Sequence, residues 1–137
     1  MAKLNIIVAT HGRFGEELVS SAEMIIGKTE NVYNLSLLPD KSFEDFMNEA
    51  KELFSLIEGP AFALVDLFGG TPSNVLTAMT RQYGHKVVTG LSLPIFIGLY
   101  MDAVNAKHID LDEIARNCQS LANESVIVTN DQLDSEL

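Results

Sequence analysis

Cysteine occurs once in this chain, at position 118, so neither an internal disulfide nor a thiolate cluster for a metal can form within one copy. In "LDEIARNCQSLA" that cysteine shares one helical face with Leu111, Ile114, Ala115, Leu121 and Ala122, the setting of a packing residue rather than a catalytic thiol. Basic residues are also scarce. Nine of them against nineteen acidic ones give a formal charge of -10, which opposes binding to phosphate backbones or anionic lipid surfaces and makes nucleic acid an unexpected partner. No apolar run is long enough to span a bilayer, and "MAKLNIIVATHG" enters a strand directly, without the regions of a signal peptide, so the expected location is the cytoplasm. There is no repeat, low-complexity tract or linker. The 137 residues read as one domain over 1–130 with a polar, acidic tail over 131–137 that is prone to fraying.

What is present is a 47% hydrophobic composition, ample for a core, arranged as alternating strands and helices. "IIVA", residues 6–9, has the continuous apolar character of a strand covered on both faces, and Gly12 and Gly15 break it. Residues 13–26 follow with Phe14, Leu18, Ala22 and Ile25 on one helical face and Gly27 as a stop. "VYNLSLL" reads as the second strand. Ser42 then caps a helix carrying Phe43, Phe46, Met47, Ala50, Leu53, Phe54 and Ile57 toward the core. "AFALVDLF" is the third strand, followed by a helix with Thr71 as N-cap and Pro72 in its first turn. "KVVTGLS" is a fourth strand, "LPIFIGLYMDAV" a helix, 110–123 a last amphipathic helix, and "SVIVT" at 125–129 a β-branched fifth strand. This order predicts a doubly wound α/β domain, its sheet mainly parallel with helices on both faces.

In such sheets a ligand or reaction site lies beyond the carboxyl ends of the strands, near the point where strand order reverses. Two strands end in chemistry, the first in "ATHG" and the third in "VDLFGGTP", so His11, Asp66 and the glycine-rich turn are expected to share one crevice. An imidazole is a nucleophile when one nitrogen keeps its proton and the other offers its lone pair, and a carboxylate fixes that choice. Asp66 would do so by accepting from Nδ1–H of His11, although a plain turn-capping role after its strand also fits. In "GGTPSN", Gly69 and Gly70 allow close backbone approach, and the following helix start favours a phosphoryl group, with the Thr71 and Ser73 hydroxyls as added donors or as ordinary caps. The lysine of a Walker sequence and the G-x-S-x-G of a serine hydrolase are both missing. His85 in "YGHKVV" and His108 in "NAKHIDLD" read as surface residues, and no histidine pair has the spacing of a zinc site.

The strand ending in "THG", the amphipathic helix after it, and "LVDLFGGTPSN" some fifty-five residues later resemble the IIA component of the mannose-family bacterial sugar phosphotransferase system, from Lys3 to about Thr129. The resemblance implies a cytoplasmic phosphocarrier that accepts a phosphoryl group from phospho-HPr and passes it to a IIB component serving a IIC/IID membrane permease, with no metal or organic cofactor. It puts the phosphorylated histidine at His11, the orienting aspartate at Asp66 and a hydroxyl beside the phosphate at Thr71. It also implies a homodimer that exchanges the "SVIVT" strand; as no Ala/Pro-rich linker or IIB domain follows the IIA stretch, the IIB partner is expected on a separate polypeptide. One departure is that Arg13 and Phe14 stand where mannose-specific members carry an aromatic residue directly after the histidine-glycine pair. Three alternatives remain: the phosphocarrier subunit of a dihydroxyacetone kinase, a flavodoxin-like cofactor-binding module, and a regulatory module phosphorylated at His11 that passes the group to nothing.

Overall fold

The computed structural model describes residues 3–136. Four parallel strands, β1 (Asn5–His11), β2 (Val32–Leu37), β3 (Ala61–Val65) and β4 (Lys86–Thr89), form one sheet in the order β2-β1-β3-β4. Their alternation with α1 (Phe14–Ile26), α2 (Phe43–Leu56), α3 (Thr71–Ala78) and α4 (Thr80–Tyr83), followed by α5 (Leu93–Asn105) and α6 (Leu111–Ser125), gives the α/β architecture expected from the sequence.

The central strands are buried on both sides because successive side chains point to opposite faces. Ile6 and Val8 of β1 and Phe62 and Leu64 of β3 pack with α1, α5 and α6. Their neighbours Ile7, Ala9, Ala63 and Val65 pack with α2 and α3 on the other face. Ser42 caps α2 through a reciprocal capping box with Asp45, each side chain bonding the other's backbone amide. Cys118 is buried in the first core layer, where desolvation first and the Asp102 charge second push its thiol up to about 11.

α1 is turned relative to its sequence pattern, and α2 departs from its pattern at one position. On α1 the buried set is Gly15, Leu18, Val19 and Ala22, leaving Phe14 and Ile25 exposed. The cause is Gly15, which lies so close to β1 that a Cβ there would stand 2.7 Å from Cγ1 of Val8. On α2 the expected face holds, with Phe46, Ala50 and Phe54 buried and Met47, Leu53 and Ile57 packed beside them; only Phe43, at the first turn, is exposed.

The expected fifth strand is absent from the single chain. α6 runs on to Ser125, and Val126, Ile127 and Val128 are exposed and outside regular structure. β-branched residues favour a strand only where a ladder supplies hydrogen-bond partners, and nothing in this chain's sheet pairs with them. Beyond them, α7 (Asn130–Glu136) occupies the acidic tail, and Leu137 lies outside the described residues. No helix among the described residues is long and apolar enough to cross a membrane.

A clamped histidine at the strand ends

The sheet order places the reversal point between β1 and β3, since the chain leaves β1 toward one edge and returns to build the other from β3. His11 is the last residue of β1, and Asp66 is the first residue after β3. The two strands pair in register up to Ala9 and Val65, so both side chains emerge just past the last paired residues.

Asp66 grips His11 at two points. Its Oδ2 accepts from the His11 backbone N–H at 2.9 Å and from the ring Nδ1 at 2.8 Å, while Oδ1 accepts from the Leu67 N–H at 3.0 Å. An ionised carboxylate can only accept, so Nδ1 is the donor, and in the neutral ring this leaves the lone pair on Nε2. The His11 side chain is 49% exposed and that of Asp66 12%, an arrangement in which the carboxylate is sheltered and the imidazole presented.

Gly70 is the third part of the site. Its φ of -83° is one that any residue adopts, so no backbone strain calls for glycine there. Proximity does: a Cβ on Gly70 would stand 2.7 Å from Cε1 and 3.2 Å from Nε2 of His11. Gly69 is the opposite case, with φ at +90° and open space around it, a turn residue that needs conformational freedom. Together they bring the start of α3 against the imidazole.

The structure corrects the assignment of the cap. Gly70 is the N-cap and Thr71 the first helical residue, because Pro72 fits the next position, where a missing N–H costs nothing. Thr71 borders a shallow groove beside the imidazole, lined also by His11, Leu37, Leu38, Lys41 and Phe43. Ser73 is buried on α3 and is not among the residues lining that groove. Arg13, two residues after His11, pairs with Glu16 at 3.3 Å, and Lys41 of the groove pairs with Glu49 at 2.8 Å.

The two helix-starting phenylalanines whose side chains the periodicity placed in the core stand at this same rim, Phe14 after β1 and Phe43 after β2. With Leu67 and Phe68 of the β3–α3 loop they form exposed apolar surface on the side of the sheet that carries His11, and Phe68 is 86% exposed. The signal that could have found them is their position: each directly follows the loop at a strand's carboxyl end, where a side chain has rim rather than core beneath it.

Of the remaining histidines, His108 is exposed as expected, and His85 is not. It is buried, its Nε2–H donates to the Leu76 carbonyl at 2.8 Å, and its ring lies against Phe54, itself stacked on Tyr83. Its Nδ1 has no partner among the described residues. Burial holds its pKa below the usual histidine value, opposed by the bond to Leu76. The tight turn at Gly84, with φ at +70°, is what folds this residue inward from the end of α4. Among the described residues no group of three or more His, Cys, Asp or Glu side chains is placed to hold a metal ion.

The chain is 29% identical over 100 residues to the PTS system mannose-specific EIIAB component of Escherichia coli, an overlap covering 70% of this chain but only 31% of that protein's length. It is 23% identical over 134 residues to the PTS system fructose-specific EIIA component of Bacillus subtilis, covering 96% of this chain and 90% of the relative. Among solved structures, the mannose/sorbose specific IIA subunit from Enterococcus faecalis superposes with a TM-score of 0.81 at 26% identity, covering 92% of this chain and 94% of that one. The PTS IIA protein associated with the fucose utilization operon of Streptococcus pneumoniae does so with a TM-score of 0.78 at 31% identity, covering 97% and 99%. Residues 5–119 match the family described as the PTS system fructose IIA component, and the chain belongs to that family, EIIA-man.

Proposed function

We propose that this protein is a cytoplasmic phosphocarrier of a sugar phosphotransferase system, taking a phosphoryl group from phospho-HPr onto His11 and giving it to a IIB component. The observation that carries this reading is the His11–Asp66 pair, with Nδ1 held at 2.8 Å by a carboxylate and Nε2 left at the start of α3. In the forward step the Nε2 lone pair attacks phosphorus, the new N–P bond forms, and the N–P bond to the donor histidine breaks with its electron pair returning to the donor imidazole. Asp66 stabilises the positive charge that grows on the His11 ring, and alignment supplies most of the acceleration.

The phosphoryl group is received by backbone amides. The first amides of a helix have no intrahelical acceptor, and Pro72 lacks one, which leaves those of Gly70, Thr71 and Ser73. Thr71 adds a hydroxyl at the groove. Ser73 acts through its amide, since its side chain is buried. The exposed apolar rim of Phe14, Phe43, Leu67 and Phe68 supplies contact surface for the protein partners that must reach His11.

A homodimer that exchanges residues 125–129 is part of the same reading. Its support is the exposure of Val126, Ile127 and Val128 together with the edge position of β4, whose outer side is free to accept a strand. Light scattering tests it, and a monomer at working concentration counts against the exchange.

The decisive experiment for the carrier role is intact mass after incubation with phosphoenolpyruvate, enzyme I and HPr. A single acid-labile phosphoryl group, absent from His11→Ala, is the expected result. No added mass with a demonstrably active HPr refutes the reading. Asp66→Asn should accept the group more slowly, and an unchanged rate would remove the role assigned to Asp66.

A further inference from the structure

Asn74 makes two bonds that the phosphocarrier chemistry has not yet used. Its side-chain Nδ2–H donates to the Gly69 carbonyl at 3.2 Å, and its backbone N–H donates to the Gly70 carbonyl at 2.9 Å. One residue therefore holds both carbonyls of the Gly-Gly pair. A trans peptide is planar and its C=O and N–H point in opposite directions, so fixing these two oxygens fixes the N–H groups of Gly70 and Thr71 on the far side. The constraint matters because Gly69, at φ +90° with no atom within 4 Å of where its Cβ would be, and Gly70, with no side chain, leave the peptide between them free to rotate otherwise.

We propose that Asn74 is a positioning residue for phosphoryl transfer: its carboxamide locks the Gly69–Gly70 peptide so that the Gly70 N–H faces the phosphoryl group on His11 Nε2. The inference rests on the phosphocarrier reading and adds a residue to it. Asn74 itself is exposed on the outer side of α3 and fills no part of the core, so its side chain can be changed without opening a cavity. The backbone half of its grip survives any substitution but proline, and only the Gly69 bond depends on the carboxamide.

The test compares Asn74→Ala, Asn74→Asp and Asn74→Gln with the native chain in rapid-quench transfer from phospho-HPr, and follows the Gly70 amide by ¹H–¹⁵N NMR before and after phosphorylation. Asp matches Asn in shape but, ionised, cannot donate to a carbonyl. The Ala and Asp forms should transfer about tenfold more slowly at saturating donor, the order expected for losing one orienting hydrogen bond, with half-saturation and melting temperature little changed. Gln keeps the donor and should recover most of the rate. The Gly70 amide should move downfield on phosphorylation of the native chain and much less in the Ala and Asp forms. Native rates and a native Gly70 shift in those two variants overturn the proposal while leaving the carrier role intact. A loss confined to half-saturation assigns Asn74 to partner contact and also overturns it. A native chain that takes no phosphoryl group refutes the carrier reading itself, and this inference falls with it.

Discussion

Replacing Gly70 by alanine adds one methyl group at the point where the backbone meets the His11 ring. The new Cβ would stand 2.7 Å from Cε1, about 0.7 Å inside the distance at which ordinary contact begins. The ring cannot retreat while keeping its bond to Asp66, because the same Oδ2 also holds the His11 backbone at 2.9 Å. It can swing toward solvent, where half of it is already exposed, and that motion breaks the Nδ1 bond and carries Nε2 away from α3. A displacement approaching 1 Å at a reacting atom costs on the order of 10²-fold in rate. The fold should hardly notice: φ at -83° suits alanine, and the loss of one half-exposed hydrogen bond, about 1 kcal/mol, is offset in part by the stiffer unfolded chain. The assay is single-turnover transfer from phospho-HPr beside a thermal melt, with ¹⁵N NMR of the His11 ring reporting which nitrogen holds the proton. Gly69→Ala is the control with the opposite signature, since strain at φ +90° lowers the melting temperature without a contact to the ring. Native transfer by Gly70→Ala, with the Nδ1–H tautomer intact, would refute the argument that the imidazole needs this close approach.

Other consequences concern the body of the fold. His85 has its folded-state pKa lowered by burial, so the unfolded chain takes up a proton near the usual value of 6.5 that the folded chain refuses. Stability is then fully present above that pH and declines as pH falls toward the folded value; melts between about pH 7.5 and 5.5 should fall more steeply for the native chain than for His85→Gln, and parallel slopes would sink the assignment. Cys118, with its thiol pushed up to about 11 by burial, should resist alkylation at pH 8 until denaturant is added, and rapid labelling of the folded chain would contradict the packing described. Ser42→Ala removes one half of the α2 capping box and should cost about 1 kcal/mol in denaturant unfolding; no change in midpoint would mean that water serves the Asp45 amide equally well.

The sequence was most legible where one periodicity decided the outcome. β1 and β3 read as buried strands because their apolar runs are continuous, and Ser42 read as a cap because the capping box is local. His11 and Asp66 could be paired across fifty-five positions because a doubly wound sheet brings the ends of neighbouring parallel strands together. Failures came where tertiary contact outvotes local pattern. The α1 face turned because Gly15 lets the helix lie against Val8, and no hydropathy pattern contains that contact. His85 turned inward because Gly84 bends the chain and Leu76 offers a carbonyl, both invisible in the polar run "YGHK". The "SVIVT" stretch has strand-forming residues, but strand formation is a property of a pair, and one sequence states only half of it.

The proposed carrier role asks how a strongly acidic chain would hold an anion in transit. Arg13 and Lys41 each pair with a carboxylate, and on the phosphocarrier reading the groups at the start of α3 that meet the phosphoryl group are dipoles: its backbone amides and the Thr71 hydroxyl. Fixed cations there would bind the phosphoryl group and the transition state for its departure alike, and stabilisation shared equally by the two does not speed a step. A carrier must release what it accepts. On that reading, dipoles aligned by Gly70 and Asn74 orient the group without holding it by charge, and the -10 net charge favours partners that bring the positive side chains themselves.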